Sequence, residues 1–350
     1  MPHEPPVQII CLQTRLTQYH YRSYSTLKDY LLNSIGQSHG TRPTLVVLPE
    51  CIGAWLYLMC VPMPAFLRHF FFREHETSRC RHLLFIVFAL ITHMRVFFKE
   101  LCRNYATRKS WLGLIQRSWF GLHSQRTHAL YRQLFSELAR ETNTIIVAGS
   151  LFSRDPSDVD ALYSVSYVFE PVRGSVCLES GKYYRVADES AFVDRYARAP
   201  TIYSIPGTNV DLGVLICADS WMPEIYQLYG KIPSASNRRF LFVIVALNLG
   251  RWDIPWPGYD AHCPLPADVQ REHLRTYSLG QAWRSYAIDR AFNALEQRQI
   301  HPGYGVVCCQ GALNIMNDIC GEGESMLLMR RAVHDERFFL QGARTLTCEF

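Results

Sequence analysis

The stretch Gly213-Val-Leu-Ile-Cys217-Ala-Asp-Ser-Trp-Met-Pro-Glu224 constrains this chain more than any other. An apolar run feeds straight into a cysteine, and polar, turn-forming residues follow at once. That pattern predicts a buried strand ending in a sharp turn that carries the thiol, the cysteine form of the strand–turn–helix elbow that presents a nucleophile at a sheet edge. A cysteine is also a common core residue. The elbow therefore gains chemical meaning only if the chain supplies a base and a cation to go with it.

The rest of the sequence supplies a frame that alternates strands and helices. Short apolar runs at Val7–Gln13, Thr44–Glu50, Thr144–Phe152, Ala161–Phe169, Phe240–Leu247 and Gly305–Gln310 predict buried strands, and Gly321–Met329 leads into a last one. Helical spacing appears in Ser25–Ile35 with Ser25 as the cap, from Thr127 to Thr142, and from Gln281 to Gln297. Gly40–Pro43 reads as a turn and Pro171–Gly174 as a hairpin turn. This alternation is that of an α/β protein. At 350 residues the chain can bury roughly three quarters of its unfolded surface. We read residues 1–350 as a single domain carrying an atypical insertion at 52–128.

That insertion breaks the rhythm. Trp55–Phe72 and Leu83–Phe98 are crowded with aromatic and aliphatic residues, and between Ile52 and Arg132 there are twelve Lys and Arg against three acids. The whole chain carries only +5, so its remainder is mildly acidic and nothing points to nucleic acid. Pro62 and Pro64 interrupt the first run and Thr92-His93 the second, so neither reaches the ~18–20 apolar residues of a membrane span. Three readings stay open for it: a buried insertion or oligomer contact, an in-plane interfacial segment over about 55–110, or a stretch that folds poorly. Twelve scattered cysteines without a CxxC pair, and Met1 without a secretory h-region, suggest reduced thiols in a cytoplasmic or membrane-associated protein. Cys308-Cys309 lie inside an apolar run and read as strand core. His262-Cys263 are adjacent and make a poor metal site, so no metal or organic cofactor is expected.

Three elements in order resemble the carbon–nitrogen hydrolase (nitrilase) superfamily. They are Leu-Pro-Glu50 after a buried strand, Lys182 followed seven residues later by Glu189, and Ile-Cys217-x-Asp219-x-x-x-Pro-Glu224. Ile145–Ser150 ahead of a Gly-Ser turn, Leu162-Tyr163-Ser164, Arg290-Ala291 and Gly321–Ser325 add to it, over about 1–51 and 129–330. Tyr184-Arg185 would put the family lysine at Val186, which cannot serve, so Lys182 is the better match and Arg185 the alternative cation.

The resemblance implies a four-layer α-β-β-α sandwich and a homo-oligomer joined through outer helices. It also implies hydrolysis of a non-peptide carbon–nitrogen bond through a thioester on Cys217. Glu50 would act as the base, and Lys182 with the Ala218 N–H would stabilise the developing charge. Glu189 would orient Lys182, while Asp219 and Glu224 would shape the elbow. Asn248 and Trp252, past the end of a strand, would line the substrate site, with Trp256 as pocket or packing. Cys217 and Asp219 two apart favour an amide over a nitrile, although Ala218 stands where such motifs often carry an aromatic residue. Two other readings stay open: an acyltransferase using the same thioester at a membrane surface, and a binding protein with a decayed site.

Overall fold

The computed structural model describes residues 6–36, 42–72, 79–105, 110–232, 238–248, 251–259, 265–297, 303–315, 319–320, 323–330, 337–342 and 345–350. In chain order its elements begin with β1 (Gln8–Leu12), β2 (Arg15–Thr17), α1 (Tyr24–Ile35) and β3 (Thr44–Val47). Four helices follow in the insertion: α2 (Tyr57–Cys60), α3 (Ala65–Phe71), α4 (Arg79–Asn104) and α5 (Trp111–Thr142). Next come β4 (Ile145–Val147), β5 (Leu151–Arg154), β6 (Leu162–Phe169), β7 (Val176–Gly181), α6 (Ala187–Ser190), β8 (Tyr203–Ser204), β9 (Val210–Ile216) and α7 (Pro223–Gly230). After β10 (Arg239–Ala246), the helix α8 (Leu279–Trp283) passes through a π-turn at Arg284–Asp289 into α9 (Arg290–Glu296). The chain closes with β11 (Tyr304–Gln310), β12 (Ala312–Ile315), β13 (Ile319–Cys320), β14 (Ser325–Arg330), β15 (Arg337–Gly342) and β16 (Thr345–Glu349).

Among the described residues two large mixed sheets form, ordered β16-β1-β3-β4-β6-β5, with β7 on β6, and β15-β14-β11-β10-β9-β8; β13-β12-β2 make a smaller third. The centres of both large sheets are parallel. Val243 of β10 lies between Val214 of β9 and Val307 of β11, and Val46 of β3 lies between Ile10 of β1 and Ile146 of β4. β3, β9 and β11 are buried along their whole length. Unbroken apolar runs of this kind belong to strands covered on both faces. The Cys308-Cys309 pair belongs to this covered core.

The two sheets face each other, with β1 on β11 and β7 on β9. Polar groups stitch the inner faces. The Ser180 hydroxyl donates to the Val214 carbonyl at 2.8 Å, and the Cys309 thiol to the Val47 carbonyl at 3.2 Å. α1 and α5 cover the outer face of the first sheet, where the Phe135 and Phe169 rings lie 6.0 Å apart. Tyr229 of α7 packs on Phe242 at 5.2 Å, and Phe292 of α9 on Tyr304 at 5.0 Å, to cover the second. The layers are therefore helix, sheet, sheet, helix, as expected.

Several boundaries differ from the sequence reading. Ser23, not Ser25, caps α1, accepting from the Thr26 N–H. The segment expected as one strand at Thr144–Phe152 is split into β4 and β5 by Gly149, whose φ of +71° turns the chain. α5 starts sixteen residues before Thr127, because Ser110 supplies an N-cap to Gly113 and the insertion runs without a break into the core helix. The strand expected to be last, β14, is followed by β15 and β16. β16 pairs with β1 from the far end of the chain, and no local pattern encodes such a partner. Gly40 of the expected turn, His262, Cys263 and Gly321 lie outside the described residues. Nine of the cysteines, Cys217, Cys308 and Cys309 among them, are free thiols. No helix among the described residues is long and apolar enough to cross a membrane.

The insertion is helical and fastened to the body at one end. Arg117, buried in α5, pairs with Asp194 at 2.6 Å and donates to the Phe192 carbonyl at 2.9 Å. Arg154 pairs with Glu100 of α4, and Arg103 with Asp160 at 2.6 Å. Phe135 carries the packing of α5 on the first sheet. Phe135→Ala is expected to cost about 3–5 kcal/mol, read as a lower denaturation midpoint with an unchanged slope.

Candidate active site

β9 delivers Cys217 to the mouth of the sandwich, and the turn Cys217–Trp221 bends the chain sharply there. Cys217 has a φ of +45°, in the left-handed region where a residue with a Cβ is strained by about 1–2 kcal/mol. Local bonds hold it in place. The Ser220 hydroxyl donates to the Cys217 carbonyl at 2.7 Å, and the Ile216 N–H reaches the Asp219 carboxylate at 3.4 Å. Pro223 then restarts the chain as the first residue of α7. Behind the turn, buried Arg290 donates to the Trp221 carbonyl and pairs with Asp268 at 2.8 Å.

Glu50 arrives from the first sheet. After β3, the Leu48 N–H bonds the Val147 carbonyl at 2.9 Å, and the chain then turns through Pro49, Glu50 and Cys51, whose φ is +63°. The Ser150 hydroxyl accepts from the Cys51 N–H at 2.9 Å, and the Ser150 carbonyl accepts from the Gly53 N–H at 2.9 Å. Gly149 permits this approach, since a Cβ there would sit 2.0 Å from the Pro49 carbonyl oxygen. Lys182 comes one residue after β7, where its N–H bonds the Ser164 carbonyl at 2.9 Å. Asp219 then ties this loop to the elbow: one carboxylate oxygen accepts the N–H groups of Tyr183 at 2.9 Å and Tyr184 at 2.8 Å.

These loops bring Glu50, Lys182, Glu189 and Cys217 together. The Lys182 ammonium lies 2.7 Å from Glu50 Oε1 and 2.6 Å from Glu189 Oε2, and its side chain is 1% exposed. The Cys217 thiol lies beside Glu50, and the two groups act on each other electrostatically. Burial works against the Lys182 ammonium, but Glu189 and Glu50 overcome it and hold its pKa well above the ordinary lysine value. Burial also lifts Glu50 above the usual carboxylate range; Lys182 opposes this and the Glu189 charge adds to it. Burial and the Glu50 charge push Cys217 well above an ordinary thiol, against the pull of Lys182. The resting site therefore holds an ammonium between two carboxylates and a protonated thiol beside one of them. A carboxylate thus lies next to the thiol, with a fixed positive charge beside it.

The other expected residues divide. Asp219 is buried, and its carboxylate bonds the backbone on both sides of the site. Glu224 instead faces solvent in the first turn of α7, so it sits outside the buried cluster. Ala218 is half-buried in the elbow turn. Arg185 donates to the Val193 carbonyl at 2.6 Å, and Lys182 is the cation that pairs with Glu50 and Glu189. Asn248 is buried at the end of β10, where the Trp283 indole N–H reaches it at 3.5 Å. Trp252 stacks on Trp283 and lines a cleft of about 400 Å³ with Tyr277, Gly280, Gln281 and Arg284; Cys217 is not among the residues lining it. Trp256 is packing, 2% exposed against Trp221 and Tyr286. Sequence reasoning did not assign Ser150 and Ser164 their holding roles, nor Arg290 its clamp on Trp221. The Gly149-Ser150 turn, Leu162-Tyr163-Ser164 and Arg290-Ala291 were nonetheless the signals that marked them.

No protein-family model matches the chain, and no curated protein sequence matches it. Among solved structures it is similar to a carbon–nitrogen hydrolase from Helicobacter pylori G27, with a TM-score of 0.51 and 12% identity over 97% of this chain and 88% of that one. It is also similar to Nit3 of Saccharomyces cerevisiae, described as a member of branch 10 of the nitrilase superfamily (TM-score 0.49, 14% identity, 96% and 90% of the two chains). A third is an amidase from Nesterenkonia sp. (TM-score 0.49, 11% identity, 99% and 90%). At 12% identity the likeness to the Helicobacter pylori protein is one of fold alone.

The buried elbow carboxyl makes stability depend on pH. Burial raises Asp219 from 3.8 to about 7, against the pull of its backbone donors and Lys182. Below 3.8 folded and unfolded chains both hold this proton; between 3.8 and about 7 only the folded chain holds it. Stability from this group is thus present at low pH and lost as pH rises through that window, by a few kcal/mol at ~1.4 kcal/mol per unit. Asp219→Asn is expected to flatten that part of the stability–pH profile in urea titrations. An unchanged profile would show that Asp219 ionises normally.

Proposed function

We propose that the protein is a cysteine-dependent hydrolase of non-peptide carbon–nitrogen bonds, with Cys217 as nucleophile, Glu50 as general base and acid, and Lys182 as the fixed cation. The observation that carries this reading is the buried contact of Lys182 with Glu50 at 2.7 Å, with the Cys217 thiol beside the same carboxylate. Three separate loops, after β3, β7 and β9, converge to make it, and the carboxylates hold the Lys182 ammonium charged against its burial. A decayed binding site has no need of such an arrangement.

In this mechanism the thiol proton passes to Glu50 as sulfur bonds to the substrate carbonyl carbon. Negative charge develops on the carbonyl oxygen, where Lys182 and the Ala218 N–H stabilise it. The adduct collapses by breaking the carbon–nitrogen bond, and Glu50 returns its proton to the departing nitrogen. A thioester remains on Cys217. Glu50 next takes a proton from water as the water oxygen attacks the thioester. The carbon–sulfur bond then breaks, the acid leaves, and the proton on Glu50 restores the thiol. Glu189 keeps Lys182 oriented and protonated throughout. We take an amide as substrate rather than a nitrile, on the two-residue spacing of Cys217 and Asp219. Asn248 and Trp252, past the end of β10, are the side chains we assign to substrate contact.

Incubation with a panel of amides and nitriles, followed by intact-protein mass spectrometry, is expected to reveal an acyl adduct in the wild type and none in Cys217→Ala. Equal labelling of several cysteines, with no acylation of Cys217, would remove the enzyme reading. With a turned-over substrate in hand, Glu50→Gln is expected to lower kcat about 10²–10⁴-fold and Lys182→Ala about 10²–10³-fold. The acidic limb of the rate profile should lie above the ordinary glutamate value of 4.5, because the base must be unprotonated and burial raises it. Glu189→Gln should move that limb to lower pH, since the Glu189 charge is one of the causes of the rise.

A further inference from the structure

α4 has two apolar faces, and only one of them is used. A helix lying on a globular body needs a single apolar stripe turned inward. In α4 that stripe includes Phe85, Ala89 and Phe97, buried toward α5 and α3, where Phe85 meets Phe71 at 5.8 Å. A second stripe points outward. Leu84, Val87, Ile91, Met94 and Phe98 recur at alternating steps of three and four, and all are exposed, Ile91 at 65% and Phe98 at 57%. Tyr105 continues it past the helix end, its ring 6.0 Å from that of Trp111 at the start of α5, which is 68% exposed. Monomeric proteins rarely leave an apolar surface of this extent open. At 26 residues the helix is about 39 Å long.

The charges on the helix decide what covers this stripe. α4 carries five Lys and Arg against one acid, Glu100. Glu100 is already engaged by Arg154 and by Arg103 at 3.8 Å, and Arg103 also by Asp160. Arg95 and Lys99, each one residue on from a member of the stripe, are exposed and make no ion pair among the described residues. Two copies of α4 packed stripe to stripe would bring these cations together with no free carboxylate between them. An anionic surface reverses that sign. The helix also cannot cross a bilayer, which leaves an in-plane arrangement. Exposed aromatic rings at one end of the stripe suit a headgroup boundary, with an apolar body and a polar tip.

We propose that α4 and the first turn of α5 form an in-plane docking face for an anionic lipid surface. The Leu84–Phe98 stripe and Trp111 enter the boundary between headgroups and acyl chains, and Arg95 and Lys99 pair with anionic headgroups. The proposal stands apart from the chemistry at Cys217 and survives if that chemistry fails.

Cosedimentation of the full chain with phosphatidylcholine vesicles, with and without about one-third phosphatidylserine, tests it. Binding is expected to the mixed vesicles, to fall with added salt, and to be much weaker on phosphatidylcholine alone. The double change Arg95→Gln with Lys99→Gln should weaken it about 25-fold, at about fivefold per charge. Ile91→Asp with Phe98→Asp should abolish it. All four positions are exposed, so the circular dichroism spectrum should not change. No binding to either vesicle, or equal binding to both, would overturn the proposal. So would a concentration-dependent dimer in light scattering that Ile91→Asp with Phe98→Asp dissolves, since the stripe would then be the interface between two copies.

Discussion

The Lys182 ammonium, enclosed between the carboxylates of Glu50 and Glu189, is the interaction on which the centre of this structure depends. Taking three charged groups out of water costs several kcal/mol for each, and only close, well-formed contacts can offset that. Contacts of 2.6–2.7 Å supply them. Removing one partner would leave an uncompensated buried charge, a change that typically costs about 3–5 kcal/mol. The three residues come from different places: a turn after β3, the end of β7 and the short α6. Their pairing therefore joins two loops of the first sheet, and Asp219 ties the second of these loops to the elbow. The count of charges matters as much as the geometry. One cation serves two carboxylates, so the cluster keeps a net negative character even with Lys182 fully protonated.

Two strained residues border this cluster. Cys51 follows Glu50 and Cys217 faces it, and both hold the left-handed backbone conformation that side chains with a Cβ disfavour. Such strain persists only where the surroundings over-determine it. Here they do: Ser150 grips the backbone of Cys51, while Ser220, Asp219 and Arg290 grip the elbow. Asp219 is the shared support. Its carboxylate holds Ile216 before the thiol and Tyr183 and Tyr184 after the lysine, so it links the positions of nucleophile and cation. Both turns are inherited from strands whose ends the sheets fix, which places the reacting groups on rigid elements.

The site was more legible than the surface around it. Val210–Ile216 announces a covered strand by its apolar run, and the polar residues after Cys217 mark where it must stop. The seven-residue spacing of Lys182 and Glu189 marked two residues that the structure pairs, because the loop after β7 is short and α6 begins at once. Asp219's three backbone bonds could not be foreseen, since they depend on a strand end and a loop far apart in sequence. β16 was invisible for the same reason. α4 was misleading in another way. Apolar residues at nearly every position hide a helical period, so its two faces separate only once one of them is packed. The early start of α5 depended on Ser110, a cap whose value shows only when the residues beyond it are helical.

The state of the resting thiol sets the character of the chemistry proposed for this site. Where a cysteine sits beside an imidazolium or a helix N-terminus, its pKa drops and a thiolate stands ready for any electrophile. Cys217 has the opposite surroundings, since burial and the Glu50 charge favour the protonated form more than Lys182 favours the anion. Thiolate character can then arise only as the proton moves to Glu50, while the substrate takes up the displaced charge beside Lys182. An electrophile that develops no anion there gains nothing from the cation and must bear the whole cost of ionising the sulfur. In the proposed mechanism the same buried charges thus restrict the nucleophile to substrates whose reacting carbon carries an oxygen or nitrogen able to reach Lys182. Selectivity for the reacting bond would then come from the cluster itself, before any side chain of the substrate is read.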